Sequence, residues 1–182
     1  DQPAQPERVV LERDFFVGVN NNIDINYLRQ AAPDTVHVQD ITAATVGLGL
    51  FGPKSRELAQ SLTRDNLSND ALGYFKLKNT HLGHVPVMLC RLSYVGELGY
   101  EIYTTADFAL KLWDTIWKAG QQYGLIAAGR GAFNSMRLEK GYRSYGQDMN
   151  SEHNPHEAGL SFAVRKGGGY KGAEAFSQIN PD

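Results

Sequence analysis

Apolar positions in this chain recur with two different periods. Over 106–123, Phe108, Leu112, Trp113, Ile116 and Trp117 stand at i, i+4, i+5, i+8 and i+9, which is one broad apolar face of a helix. Thr104 or Thr105 offers a capping hydroxyl at its start and Gly124 an end. The aromatic stripe on that face is expected to pack into the core. Further helices are expected over 23–32, from Gly52-Pro53 onward, over 131–140 and over 173–178. Asn20, Asn21 and Asn22 supply caps for the first, and Pro33 stops it. Leu58, Ala59 and Leu62 form the apolar face of the second, and Gly141 ends the third.

The other period is two. Alternating or β-branched runs predict strands at 9–11, 15–19, 35–41, 44–51, 74–80 and 158–164. Another begins at Val85, runs through Leu92 and Tyr94, and resumes at Tyr100 and Ile102 after Gly96 and Gly99. A turn separates it from the preceding strand at 81–84, and residues 1–8 read as a loose lead-in. Short turns between strands favour an α+β fold of largely antiparallel sheet with packed helices over a doubly wound parallel sheet. Two places in this pattern suggest chemistry. Gly47 and Gly49 interrupt a strand, where another backbone or a ligand can approach closely. Glu97 occupies a glycine-flanked bend, and reads either as a solvated turn residue or as a carboxylate presented to a ligand.

Composition narrows the function classes. Lys plus Arg is 18 and Asp plus Glu is 20 in 182 residues, a formal net charge of -2, so no basic segment suits a nucleic acid. The longest apolar runs are too short to span a bilayer, and no membrane partner is expected. One cysteine, Cys90, rules out an intrachain disulfide framework and reads as a buried, inert thiol. The sequence starts at Asp1 rather than Met, which suits a processed product or an excised fragment. His153 and His156 lack the further ligands that zinc requires, so no metal is expected. The stretch Gly167 to Gly172 matches GxGxxG formally, but no acid follows at the distance a dinucleotide site needs. Tyr142 and Tyr145, beside Arg137 and Glu139, are candidates to face a planar ligand.

Several motifs stand in a fixed order. They are Gly52-Pro53-Lys54-Ser55, Ser93-Tyr94-Val95-Gly96-Glu97-Leu98-Gly99-Tyr100-Glu101, Met136-Arg137-Leu138-Glu139-Lys140-Gly141, Tyr145-Gly146 and Asn154-Pro155-His156-Glu157-Ala158-Gly159-Leu160. In this order and spacing the chain, from about Phe15 to Phe176, resembles the folate-binding part of the aminomethyltransferase family typified by the glycine-cleavage T-protein. The wording around Val95-Gly96-Glu97-Leu98-Gly99 and Leu138-Glu139-Lys140-Gly141-Tyr142-Arg143 is more similar to the C-terminal half of dimethylglycine and sarcosine dehydrogenases or oxidases.

That resemblance implies a tetrahydrofolate site drawing on Glu97, Asn20, Tyr142 and Tyr94, with Glu97 holding the pterin through its two acceptor oxygens. It implies one-carbon transfer coupled to an N-methyl amine flavin oxidoreductase. FAD is then expected in an upstream flavin-binding domain of the same polypeptide or complex. The alternatives are a T-protein-like aminomethyltransferase and a non-catalytic folate-binding scaffold. The family's catalytic aspartate lies upstream of the strand matching 15–19, with Asp1 a candidate remnant of that region, so the catalytic residue is left unassigned. T-proteins carry an arginine where Phe133 stands, which favours the dehydrogenase branch. The resemblance divides the chain into the end of a first folate-binding subdomain at 1–50, a second subdomain at 51–150, and a return strand and linker at 151–182. It implies a cytoplasmic protein, or one of the mitochondrial matrix in a eukaryote.

Overall fold

The structure is a computed structural model that describes residues 22–179. The strands expected at 9–11 and 15–19, and Asn20, lie outside the described residues. The chain divides into two units, one ending at Gln39 and the other beginning at Asp40.

In the first unit the expected helix forms as α1, Asn22–Ala31, with Asp24 in its first turn and Arg29 in its last, each favourable to the helix dipole. Ile25 and Leu28 are half-buried, and Pro33 follows the last turn. The strand expected at 35–41 does not form. Val36 N–H donates to the Pro33 carbonyl at 2.9 Å, a turn that takes the chain away from extended pairing.

The second unit is built on a four-stranded antiparallel sheet ordered β1-β4-β3-β2, from β1 (Thr45–Phe51), β2 (Leu77–Leu82), β3 (Val85–Cys90) and β4 (Gly99–Thr105). β1 pairs with β4 along its whole length, Thr45 opposite Thr105 through Phe51 opposite Gly99. The subdomain boundary expected after residue 50 therefore falls at the end of a strand that shares its sheet with later residues. The α+β, largely antiparallel class is the one observed.

Alternation decides which side chains are buried. Tyr100, Ile102 and Thr104 of β4, with Val85, Val87 and Leu89 of β3, point to one face. There they meet α2 (Ser55–Ser61), through Leu58 and Ala59, and α3 (Ala109–Gly120), through Leu112 and Ile116. Leu112, Tyr100, Ile102 and Leu89 are wholly buried at the centre of this layer. Glu101 and Tyr103 alternate onto the opposite face.

Three expected elements shift for identifiable reasons. β2 starts at Leu77, not Tyr74, because Phe75 sits at φ +60° and breaks the extended run. β3 ends at Cys90: the Leu92 N–H turns back to the Cys90 carbonyl at 2.9 Å, so Leu92 and Tyr94 leave the sheet. Residues 158–164 form no strand, since Gly159 is left-handed at φ +67° and a short 3-10 turn, Ser161–Ala163, follows. α3 is flanked by 3-10 turns, Ala106–Phe108 and Gln121–Tyr123, so the whole apolar stripe is helical. α4 (Arg130–Lys140) ends on Gly141, and α5 (Ala173–Ser177) closes the described chain.

Candidate ligand site

The motifs singled out in the sequence converge in space. The Leu98 carbonyl accepts hydrogen bonds from Gly52 N–H at 2.8 Å and Ser55 Oγ at 3.1 Å, which ties the Gly-Pro-Lys-Ser turn to the 91–99 loop. Gly96 takes φ +78°, and a Cβ there would lie 2.9 Å from Lys140 Cδ, so the lysine stem rests on bare backbone. The Tyr94 ring stacks on Tyr142 at 5.4 Å and 25°, and on Phe133 at 5.7 Å and 26°. Its hydroxyl donates to the Arg143 carbonyl. Phe133 in turn meets Phe51 at 6.4 Å, giving a row of four rings, Phe51, Phe133, Tyr94 and Tyr142.

Beside this row lies a cavity of about 870 Å³. It wraps the free edge of β1, passes the start of α4, and is bounded on its far side by residues 124–129. Phe51 and Phe133 form part of its wall, and Glu101 and Tyr103 face it from β4. Glu101 stands opposite Gly49, and Tyr103 opposite Gly47. A Cβ on Gly47 would come within 3.0 Å of the Tyr103 ring, so the glycine is what lets that ring lie over the strand. Tyr103 donates its hydroxyl to Glu101 Oε2 at 2.6 Å. Burial and then this bond push the Tyr103 phenol well above its ordinary range, so it stays a donor. Among the described residues Glu101 Oε1 takes no hydrogen bond, so the carboxylate keeps acceptor capacity.

The mouth carries another aromatic surface. Trp113 and Trp117 stack at 5.9 Å with 8° between their planes, and both line the cavity. At 44% and 37% exposure they are not the core residues that the stripe on α3 suggests; Leu112 and Ile116 alone take that role from the 112–117 turn. Lys54 and Arg130 supply the cations near the wall.

The expected site residues fare differently. Tyr94 and Tyr142 are brought face to face, but behind Phe133 rather than on the cavity surface. Glu97 is exposed in its bend, does not line the cavity, and makes no side-chain hydrogen bond among the described residues. Asn20 lies outside the described residues. Glu101, Tyr103 and the tryptophan pair were not singled out from the sequence. The available signal was a carboxylate in register with the odd glycines of β1, and it needed the β1–β4 pairing to become visible. His153 hydrogen bonds Asn150, and His156 meets Ser161 Oγ at 2.7 Å while stacking on Phe176. No group of three or more potential metal ligands occurs among the described residues. Cys90 is half-buried, and burial raises its thiol pKa.

The sequence profile of the GCVT N-terminal domain matches residues 9–167. The chain belongs to this family. Curated relatives with similar sequence include 4-methylaminobutanoate oxidase (formaldehyde-forming) of Paenarthrobacter nicotinovorans, 40% identical over 146 residues, covering 79% of this chain and 18% of that protein. Mitochondrial dimethylglycine dehydrogenase of Homo sapiens is 38% identical over 146 residues, covering 79% and 17%. An aminomethyltransferase of Halothermothrix orenii is 36% identical over 142 residues, covering 78% and 39%. The chain thus spans less than a fifth of the two oxidoreductases it matches. Among solved structures, heterotetrameric sarcosine oxidase from Corynebacterium sp. U-96 superposes with a TM-score of 0.52 at 22% identity, over 60% of this chain and 55% of that one. It shares the fold of this GCVT domain. No helix among the described residues is long and apolar enough to cross a membrane.

Proposed function

We propose that this GCVT domain binds reduced folate in the β1-edge cavity and serves one-carbon transfer in an N-methyl amine oxidoreductase of the dimethylglycine or sarcosine type. One observation carries this reading: a half-buried carboxylate, Glu101, lines an aromatic-walled cavity with one oxygen held by Tyr103 and the other unbonded among the described residues. A pterin offers a ring N–H beside an exocyclic amino group, and a carboxylate matches that pair of donors. Each charge-assisted bond is worth about 1.5–3 kcal/mol where water is excluded. The cavity is also of a size that suits a ligand of this class.

Bound tetrahydrofolate would supply the acceptor for the one-carbon unit, a reduced-ring nitrogen together with the neighbouring anilino nitrogen. The chain's own residues orient it: Glu101 grips the donor edge, Phe133 and Phe51 give an apolar aromatic wall, and Gly49 lets the Phe51 ring lie over the strand. Oxidation of the amine belongs to a flavin-binding portion of the same polypeptide or complex. The relatives named as an oxidase and a dehydrogenase, of which this chain spans less than a fifth, support this assignment.

A second reading is a T-protein-like aminomethyltransferase, supported by the Halothermothrix orenii relative. Phe133 weighs against it. It stacks on Tyr94 and meets Phe51, and so brings no guanidinium to the cavity wall, whereas the resemblance gives T-proteins an arginine at this position.

Tetrahydrofolate titrations of the full-length protein test the reading. Glu101→Gln is expected to weaken binding by about 10-fold or more, the equivalent of one charge-assisted bond, and to leave amine oxidation intact. Glu97→Gln, altering the exposed carboxylate of the neighbouring bend, is expected to change affinity little. Loss of binding in Glu97→Gln with none in Glu101→Gln transfers the role to Glu97, and unchanged affinity in both removes the folate assignment.

A further inference from the structure

Arg137 is buried to 2% exposure, deeper than any other charged residue described, yet it does not line the β1-edge cavity. Its guanidinium reaches four places at once. Nε donates to Asn134 Oδ1 at 2.8 Å, one Nη to the Tyr142 carbonyl at 3.0 Å and to Asp148, and the other Nη to Gln147 Oε1 at 2.8 Å. Asp148 also accepts the Ser144 N–H at 2.7 Å. The backbone adds a second grip. Tyr142 N–H donates to the Arg137 carbonyl and Gly141 N–H to the Leu138 carbonyl, both at 2.9 Å, the paired bonds that close a helix on a left-handed glycine. Tyr142 is therefore held through both its N–H and its C=O by one residue.

A buried arginine this fully bonded costs desolvation that a hydrophobic residue of similar volume would avoid. What it yields here is direction. The residue it holds from one side, Tyr142, is the outer ring of the stack. The residue it holds from the other, Asn134, follows Phe133, the ring that forms the cavity wall. Tyr94 is clamped between those two rings.

We infer that Arg137 is a positioning residue, which fixes Tyr142, and through Tyr94 the Phe133 wall, at the spacing the planar ligand of the cavity requires. The ring-holding part stands on the geometry alone; its consequence for ligand affinity rests on the folate reading. Lysine at 137 keeps the charge but has no planar fork, so it cannot serve Asn134, Tyr142 and Gln147 together.

The full-length protein labelled with 3-fluorotyrosine separates the two parts. The ¹⁹F resonances of Tyr94 and Tyr142, assigned by Tyr94→Phe and Tyr142→Phe, are expected to show slow-flipping, strongly ring-shifted signals in the wild type. In Arg137→Lys these are expected to collapse towards those of exposed tyrosine, and tetrahydrofolate affinity to fall about tenfold. Gln147→Ala removes one rim contact without touching the buried charge. It is expected to cause the same change in smaller measure, and serves if Arg137→Lys does not fold. Unaltered ring signals in folded variants overturn the positioning role. Loosened rings with unchanged affinity, in a protein that binds tetrahydrofolate, overturn the coupling to the ligand. A wild type with held rings and no tetrahydrofolate binding keeps the clamp and overturns the folate reading.

Discussion

Tyr103 donates its hydroxyl hydrogen to Glu101 two residues earlier on the same face of β4, at 2.6 Å. The bond runs along the strand, over a neighbouring strand whose facing residues are Gly47 and Gly49. It fixes the orientation of the Glu101 carboxylate; the Tyr103 ring lies over Gly47 and the Phe51 ring over Gly49. Tyr103→Phe deletes that donor while keeping the ring over Gly47. A hydrogen bond to a charged group contributes about 1.5–3 kcal/mol, and partial exposure at this site puts the expected loss at the lower end, about 1.5 kcal/mol. Urea denaturation of wild type and variant measures it, and a midpoint shift without a change in slope marks it as a loss of stability.

Gly96 is constrained twice, by a φ of +78° and by the Lys140 stem lying where a Cβ would go. Gly96→Ala is expected to destabilise by about 1–3 kcal/mol, combining left-handed backbone cost with displacement of that side chain. Gly129→Ala serves as a comparison: its φ of -92° is ordinary and nothing stands within 4 Å of its Cβ, so no comparable loss is expected. Thermal melts of the two variants side by side give the difference.

On α3 a smaller residue matters more than a larger one. Leu112 is wholly buried under the sheet, and Leu112→Ala is expected to cost about 2–5 kcal/mol. Trp117 is 37% exposed at the cavity mouth, so Trp117→Ala is expected to cost less despite removing a larger side chain. Chemical denaturation ranks the two. The same tryptophan reports on the cavity: ligand entry is expected to change tryptophan fluorescence in the wild type and to change it less in Trp117→Ala, where Trp113 alone remains.

How far the sequence reached depends on the range of the forces involved. α3, α4 and their glycine ends were legible because 3.6-residue spacing and left-handed glycines are local signals: Gly124 stands at φ +73° and Gly141 at +79°, each where a helix was expected to stop. β1 and β3 were legible from β-branched and apolar runs. The strands expected at 35–41 and 158–164 failed because extended propensity needs a partner, and neither segment has one among the described residues. The site was legible as a set of motifs but not as a geometry. Glu97 drew notice for its glycine neighbours, a local feature. Glu101 faces the cavity because of antiparallel register with β1, about fifty residues earlier in the chain, which no local pattern announces. The two tryptophans belong to a helical stripe whose apolar arc is wider than the core it covers, so its outer members fall at the cavity instead.

The loop behind the ring stack is tied to pH through Asp148. The Ser144 N–H, followed by the Arg137 guanidinium, holds this carboxyl below the usual aspartate range. A carboxylate depressed on folding adds stability that is complete above the pKa of the unfolded chain, and that contribution fades as pH falls through the folded value. Acidification from about pH 5 towards pH 2 is therefore expected to weaken the 141–149 loop's hold on Tyr142 before the buried sheet responds. Asp148→Asn keeps a carbonyl oxygen for Ser144 but has no charge to titrate. It is expected to be less stable than wild type at neutral pH and to lose less further stability on acidification, so the two stability curves converge in acid. Thermal melts at successive pH values read this directly, and curves that stay parallel down to acid would place the pH sensitivity of this domain elsewhere.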